Sequence, residues 1–324
     1  MILKPFYTLS VDGNPIDFQG RLISMQVIDK NGMEADQLTI DVDDTDGHIQ
    51  LPRKGALIAL SFGFNEHALY IGSFVVDELR HSGPPDTLSI SASSSDFRKS
   101  LLEEREISYH NTTIAVILGA IAERNRLQLA TDDLGSITVE HLDQTNESDA
   151  NLITRLAEEH DAIGTIKDER LLFVTRATGK TASCNQLPPA TIIRNDNDRH
   201  DYHDADRDQC VTGVCAYWQD KKTGKRKKVT SGKSGYCRHL KQTYNSEEEA
   251  NEAAAGKFKR IKTQAKTLTL QLPIGRPDIQ AEMPIIVHGF KAEIDAVHWF
   301  AKEITHTLNE MGLTTQVDCE ELQS

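Results

Sequence analysis

A run of carboxylates near residue 45 has the side chains of a calcium loop. Its four aspartates come just before Gly47: Asp41, Asp43, Asp44 and Asp46. A calcium loop of the EF-hand type also needs an acidic side chain six residues after its glycine. Arg53 occupies that position and follows a proline. The sequence therefore predicts a turn with solvated carboxylates rather than a metal site.

A second polar stretch, residues 195–208, has the side chains of a transition-metal site. Its histidines and aspartates are Asp196, Asp198, His200, Asp201, His203, Asp204, Asp206 and Asp208. The histidines lack the i, i+4 spacing of a helical pair, and no apolar pattern flanks them to fix a geometry. We predict a polar loop. The five cysteines are scattered without a C-x-x-C pair, so we expect no metal and no cofactor.

Glutamates could catalyse glycoside hydrolysis, which uses a pair of carboxyl groups. The candidates for such a pair are Glu103, Glu104 and Glu106. Such catalysis needs two carboxyl groups at a fixed separation across a cleft, one of them with a raised pKa. Neighbouring glutamates in a charged run provide neither. The sequence also lacks the G-x-S-x-G, H-E-x-x-H, P-loop and G-x-G-x-x-G motifs. We therefore predict no catalytic residues.

Basic side chains cluster in one tract of a chain whose formal net charge is −13. The tract consists of Lys221, Lys222, Lys225, Arg226, Lys227 and Lys228. It has no interleaved aromatic residues for stacking on bases, which favours contact with an acidic neighbouring subunit. A solvated hairpin tip is the alternative. These six residues are our candidate partner contacts.

The composition is that of a soluble globular protein, with 38% hydrophobic and 26% charged residues among 324. The acidic excess argues against a general nucleic-acid binder, which needs a basic surface. It is compatible with DNA passing along an acidic wall without being specifically bound. No apolar run approaches the roughly 18 residues of a membrane span, and the N-terminus lacks a signal-peptide core. We expect synthesis in the cytoplasm and no membrane insertion.

The elements that would position these side chains fall into three parts, and the first, residues 1–105, is rich in β-structure. Leu38, Ile40 and Val42 alternate with polar residues, as in a strand with one buried face. Several such strands between turn signals indicate a barrel or a sandwich.

The second part, residues 106–178, has the pattern of a small α+β unit. Apolar residues at helical spacing from Ile114 to Ile121 predict an amphipathic helix, with Thr112 or Thr113 as its cap. A second helix is predicted to begin near Ser148. We expect this unit to lie between the two β-rich parts.

The third part, residues 179–324, returns to β-structure, with the basic tract in a hairpin and one long helix. Ser246 and Glu249 form a capping box that opens this helix, which we expect to extend to about Lys266. Residues 296–308 are predicted to form a strand with a bulge near 301–303, because the apolar phase changes there. The fold class is therefore mainly β with an α+β insert. The first and third parts show no strong sequence repeat.

Several stretches resemble the phage late control protein D family. They are residues 38–44, 51–55, 74–78, 81–86, 141–149, 275–278 and 296–299, together with His306. The stretch 141–149, which reads HLDQTNESD, is the most specific of them. The matches are distributed over nearly the whole chain.

The resemblance implies a structural hub at the base of a contractile tail, similar to the N-terminal part of type VI secretion spike proteins. Two tube-protein-like β-barrels per chain would be joined by the small α+β domain. Three chains would then present six barrels and join the sixfold tail tube to a threefold spike. The implied partners are two further copies, the tail tube protein, other baseplate proteins and the tape-measure protein. The particle would be a virion or a tailocin assembled in a bacterial host.

The sequence ends soon after its last strand without the repeats of a β-helix. We therefore expect the spike to be a separate protein. The alternative function is a tail-associated peptidoglycan hydrolase or a glycan-binding module, located in the α+β unit. A third hypothesis is a tail-tube protein that forms hexameric rings. The chain length argues against it, because a single barrel needs only about half of this chain.

Overall fold

A computed structural model describes residues 3–18, 20–94, 99–167, 170–175, 188–204, 211–220, 223–233, 235–244, 246–263 and 266–321. The mainly β class with an α+β insert is confirmed. Most strands of the two outer parts belong to one 13-stranded sheet. The pairings between the described strands leave this sheet open and do not close a barrel.

The N-terminal part is a set of antiparallel strands in the order β3-β4-β7-β6-β5-β1-β2. Leu38, Ile40 and Val42 are buried on one face of β4, which confirms the predicted alternation. The strands are β1 (Pro5–Val11), β2 (Asn14–Ile16), β3 (Leu22–Lys30), β4 (Gln37–Asp43), β5 (Leu57–Phe64), β6 (His67–Ser82) and β7 (Thr87–Ser94).

The middle part has its own hydrophobic core beneath two helices. Both predicted helix starts are confirmed: the Thr113 side chain accepts the Val116 N–H, and the Ser148 side chain accepts the Asn151 N–H. The elements are β8 (Glu104–Thr113), α1 (Ile114–Arg124), β9 (Gln128–Thr131), β10 (Thr138–Ser148), α2 (Asp149–Glu159), β11 (Ala162–Lys167) and β12 (Arg170–Thr175), with 3₁₀ turns at Lys99–Leu102 and Asp133–Ser136.

The C-terminal part returns to the large sheet and contains an inserted unit. The elements are β13 (Ala190–Ile193), β14 (Arg199–Asp204), β15 (Gly213–Gln219), β16 (Arg226–Gly232), β17 (Cys237–Tyr244), α3 (Glu247–Thr263), β18 (Lys266–Leu272), β19 (Pro284–His288), α4 (Ala292–Asp295), β20 (Trp299–Asn309) and β21 (Gly312–Glu321). Strands β15–β17 and α3 share a separate hydrophobic core, so this unit is an insertion between β14 and β18. No helix in the described ranges is long and apolar enough to cross a bilayer.

Several local predictions in this part are confirmed and two need correction. Ser246 caps α3 by accepting the Glu249 N–H at 3.1 Å. The bulge in β20 lies between Ala301 and Glu303, as the phase change predicted. The strand itself begins at Trp299 rather than 296, because residues 296–298 form the turn that ends α4. The predicted polar loop at 195–208 is corrected for the residues that the structure describes: residues 199–204 form β14, an edge strand that pairs with β18 and has mostly exposed side chains. Residues 205–208 lie outside the described residues.

Candidate functional site

The two β-rich parts repeat one strand order. We call β1–β7 the N-terminal module, and β13, β14 and β18–β21 the C-terminal module. The first runs β3-β4-β7-β6-β5-β1, and the second runs β14-β18-β21-β20-β19-β13. All neighbours in both series are antiparallel except β13 and β19, which are parallel. The chain therefore contains two copies of one sheet architecture.

Backbone irregularities fall at matching places in the two modules. In β6 a bulge lies between Val76 and Glu78, and in the equivalent strand β20 a bulge lies between Ala301 and Glu303. The N–H of Gly55 donates to Val76 O at 2.8 Å, and the N–H of Glu282 donates to Ala301 O at 2.8 Å. A bulge re-aims a strand and is a designed feature of a sheet. The shared bulge therefore fixes the residue-by-residue equivalence of the modules.

The equivalent donors also share an unusual backbone conformation. Gly55 has a φ of 81°, and Glu282 has a φ of 71°. A non-glycine residue rarely adopts this left-handed region. Its occurrence at both places shows that the local geometry is retained even where the sequence differs.

A weak sequence repeat becomes visible once the strands are aligned by their bulges. Thr39 of β4 pairs with Ser91 of β7, and Thr269 of β18 pairs with Asp318 of β21. These two pairs occupy the same position relative to the bulges, so Thr39 and Thr269 are equivalent. This alignment places 38–42, which reads LTIDV, over 268–272, which reads LTLQL. The same alignment makes His306 of β20 the equivalent of His81 of β6. Pattern reasoning missed this repeat because two matched residues in five are too few to detect.

The modules are joined edge to edge by hydrogen bonding between β3 and β20. The pairing is antiparallel and runs from Lys30 opposite Glu303 to Ser24 opposite Asn309. Below it, Met25 and Val27 pack with Leu308 in the core of the N-terminal module. The two sheets thus continue through a buried junction, which holds the modules at a fixed mutual orientation.

Side-chain contacts reinforce this junction. The Asp29 carboxylate accepts the Ala281 N–H at 2.7 Å, and the Gln26 amide donates to Thr307 Oγ1 at 3.3 Å. His306 is buried, its Nδ1 lies 2.9 Å from Thr315 Oγ1, and its ring meets Phe62 edge to face. Burial lowers the pKa of the His306 imidazole, which favours the neutral ring inside the junction.

The predicted basic contacts lie in the inserted unit. Lys221 and Lys222 fall outside the described residues. The return strand of the hairpin, β16, begins at Arg226, and aromatic rings of β15 lie beside its first cations. The Arg226 guanidinium lies 4.0 Å from the Tyr217 ring centroid, and Lys227 pairs with Asp220 at 2.6 Å. Lys225 is exposed at the turn, and Lys228 lies beside the Cys215 thiol, which raises the pKa of the lysine.

The carboxylates of the acidic turn bind groups of the chain itself. Arg21 forms two hydrogen bonds with Asp46. Asp44 accepts the Ile49 N–H at 3.0 Å and lies 3.3 Å from His81. Across the described residues, no group of three or more histidine, cysteine, aspartate or glutamate side chains is arranged to hold a metal ion.

A cleft of about 430 Å³ separates β10 and α2 of the middle part from β17 and α3. Arg155 binds Glu147 with contacts of 2.7 and 3.0 Å and lies 3.8 Å from Glu159. The helices approach closely here, since a side chain on Gly256 would lie 2.8 Å from the Glu159 carbonyl oxygen. Burial raises the pKa of the Glu159 carboxyl to about 7, and Glu249 adds to the effect while Arg155 opposes it.

The raised pKa of Glu159 predicts a pH-dependent effect of replacing this residue with glutamine. Because its folded-state pKa exceeds the unfolded value of 4.5, the cost of ionising the buried carboxyl is absent near pH 4 and complete above about pH 7. Glu159→Gln should therefore raise the free energy of unfolding by about 1–3 kcal/mol at pH 8 and leave it nearly unchanged at pH 4. Urea titrations at both pH values test this, and equal effects at the two would contradict it.

The stretch 141–149 supplies the polar centre of the middle part. Asp149 is fully buried at the start of α2. Arg124 binds both carboxylate oxygens at 2.9 and 3.0 Å. Asn125 and Gln144 donate to the same carboxylate at 3.0 and 2.9 Å. A buried carboxylate with this many donors is satisfied and fixes the arrangement of α1, α2 and β10.

Comparisons with known proteins agree on one kind of protein. Residues 78–312 match the model of a family described as phage tail baseplate hub (GPD). The probable baseplate hub protein of Escherichia phage 186 is 36% identical over 363 residues, covering 98% of this chain and 93% of that protein. The corresponding protein of Escherichia phage P2 is 36% identical over 362 residues with the same coverage.

Solved structures share the fold. A 43 kDa tail protein of prophage MuSo2 from Shewanella oneidensis has a TM-score of 0.70 at 16% identity, with 98% of each chain covered. A tail protein from Neisseria meningitidis MC58 has a TM-score of 0.67 at 14% identity, covering 98% of this chain and 96% of that one. The E. coli c3393 protein, a type VI secretion component, has a TM-score of 0.61 at 13% identity, covering 98% and 77%.

Proposed function

The chain belongs to the phage tail baseplate hub family, and on that premise we propose that it joins a sixfold tail tube to a threefold spike. The observation that supports this adaptor role is the duplication of one sheet architecture, with its bulge, in a single chain. Three copies of such a chain present six similar modules, which can match six subunits of a tube. The buried junction of β3 with β20 keeps each pair of modules in a fixed relation.

The proposed partners follow from this role. Two further copies complete a homotrimer, the tail tube protein contacts the six modules, and a separate spike protein contacts the opposite side. Other baseplate proteins and the tape-measure protein would adjoin the ring, and DNA would pass through it without specific binding. The place of action is the tail baseplate of a virion or tailocin assembled in a bacterial cell.

Reconstitution tests the proposed adaptor role. The full-length chain is mixed with the tube and spike proteins of the same particle, and the complexes are measured by light scattering and electron microscopy. We expect a trimer that binds both partners at once. A chain that binds neither partner, at concentrations where the tube protein assembles, would contradict the proposal.

The basic hairpin remains our candidate contact to an adjoining ring. Arg226 and Lys227 are supported by their own sheet, which presents the cations of the hairpin at little entropic cost. Replacing Lys225, Arg226 and Lys227 with glutamate should lower the affinity for a baseplate partner about tenfold or more.

This loss should be smaller at high salt, because screening weakens contacts between exposed charges. Replacing the same residues with glutamine is the matched control, which should give an intermediate loss. Unchanged assembly of the glutamate variant would contradict a role of the hairpin in partner binding.

We further propose that the hub acts without catalysis. The acid with a raised pKa, Glu159, shares Arg155 with Glu147 inside the contact between α2 and α3. This arrangement stabilises an interface, whereas a glycosidase needs its two acids on opposite sides of a bound sugar. Incubation of the chain with purified peptidoglycan should release no fragments. Release that is lost in Glu159→Gln would support the hydrolase alternative.

A further inference from the structure

Among the described residues, the large sheet leaves several strand edges without a pairing partner, β2 and β13 among them, and two others, in β14 and β6, are the counterparts of the strands that form the junction. Strand β14 lies at one end of the sheet and pairs only with β18. In β6, the pairing with β5 ends at Val75, so residues 78–82 pair with β7 alone among the described strands. Free strand edges in a stable protein are usually covered, because they offer unpaired backbone groups to other chains.

The equivalence of the two modules shows what each edge can pair with. Strand β14 holds the place in its module that β3 holds in the other, and β6 holds the place of β20. Within the chain, β3 of one module pairs with β20 of the other. The counterparts are β14, at one end of the C-terminal module, and residues 78–82 of β6, which extend beyond the pairing with β5. They do not pair with each other within the described chain, so a second copy must supply one of them to repeat this junction.

We propose that β14 of one copy pairs with residues 79–82 of β6 in a neighbouring copy, antiparallel and in the register of the β3–β20 junction. The inference rests on the proposed function, because it names the surface through which copies of the hub associate. Aligning β14 with β3 and β6 with β20 gives the register directly. The expected pairs are Asp204 with Leu79, His203 with Arg80, Tyr202 with His81, and Asp201 with Ser82.

The charges of the two edges are complementary. Strand β14 presents Asp201 and Asp204, both exposed. The facing segment presents Arg80 and His81, which are also exposed. In the proposed register, Arg80 lies diagonal to Asp201 on the same face of the sheet, within reach of its long side chain. Opposite charges across a strand pair stabilise the register and oppose self-pairing of either edge.

The proposed contact is heterologous, since each copy uses its β14 edge on one side and its β6 edge on the other. A heterologous contact forms a ring when its rotation closes. Closure by three copies would give each module an edge partner: β3 with β20 inside the chains and β14 with β6 between them. The hub would thereby repeat one junction around its whole circumference.

Engineered disulfides test the register in the full-length chain. The variant Asp201→Cys/Ser82→Cys places two thiols opposite each other between copies, and mild oxidation should yield chains linked to one another on non-reducing gels. The matched control, Asp201→Cys/His81→Cys, puts the thiols on opposite faces and should link several-fold less. Gln26→Cys/Thr307→Cys is the internal reference, because it tests the same register within one chain.

A second pair of variants guards against misfolding as an explanation. Asp201→Arg should weaken association of the copies, and Arg80→Glu in the same chain should restore it, as measured by light scattering. An oligomer that links no better in the Ser82 variant than in the His81 control would overturn the proposed edge pairing. That result would not contradict the hub function, which is tested separately by binding to the spike and tube proteins. A chain that stays monomeric while binding both partners would overturn the pairing as well.

Discussion

Replacing Asp149 with alanine should lower the free energy of unfolding by about 3–5 kcal/mol, the cost of breaking a buried ion pair. The substitution removes the acceptor of four hydrogen bonds from Arg124, Asn125 and Gln144. It leaves the Arg124 guanidinium partly buried and without its carboxylate. Denaturant titration of the full-length chain, followed by circular dichroism, measures the change.

Asp143→Ala is the matched control, because Asp143 lies nearby in β10 but is about half exposed. Its loss should cost far less than the loss of Asp149, because solvent screens an exposed ion pair. Asp149→Asn is a second comparison, since it keeps the shape of the side chain but not its charge. A loss for Asp149→Ala no larger than that for Asp143→Ala would show that the buried network does not organise the middle part.

Replacing Thr307 with proline should separate the two modules and destabilise the chain by about 3 kcal/mol or more. Thr307 lies in β20 between β21 and β3 and pairs with Thr314 on one side and Gln26 on the other. Proline removes a donor from this central strand and its ring does not fit between two neighbours. The same variant should fail to form the trimer, because the modules would no longer hold a fixed orientation.

Thr307→Val is the matched control. It keeps the β-branched shape and the backbone donor, and loses only the hydrogen bond from the Gln26 amide. We expect a cost of about 1 kcal/mol and normal assembly. Trimers of undiminished stability in Thr307→Pro would contradict the role assigned to the junction.

Much of the local structure follows from the sequence because it depends on short-range chemistry. Thr113, Ser148 and Ser246 begin helices through their own hydroxyl groups. The alternation in β4 and the change of phase in β20 likewise predict one strand and one bulge. In each example the signal lies within about a dozen residues, the range over which such patterns operate.

The duplication of the modules could not be predicted in the same way. In the N-terminal module β3 and β4 are consecutive, but in the C-terminal module β14 and β18 are separated by the inserted unit of β15–β17 and α3. The repeat is also carried by backbone geometry: Gly55 and Glu282 share a left-handed conformation although their side chains differ. Pairing between distant strands depends on the whole fold, and no local pattern records it.

The candidate contacts illustrate a further limit. The described part of the basic tract lies on a hairpin, as predicted, but the sequence did not indicate that Tyr217 and Trp218 would lie beneath its cations. These rings precede the tract along the chain and reach it only through the pairing of β15 with β16. Strand β14 is not predicted from the sequence for a related reason: an exposed edge strand has few apolar residues, so it lacks the alternating pattern of a strand.

Electron microscopy of the hub bound to its tube and spike tests the central claim most directly. At the height of the β modules, we expect six similar densities around the axis, with the two modules of each chain alternating at equal radius. At the height of the middle part, only three densities should remain. Modules at unequal radii, or a ring without approximate sixfold symmetry at that height, would contradict the claim that duplication adapts three chains to six.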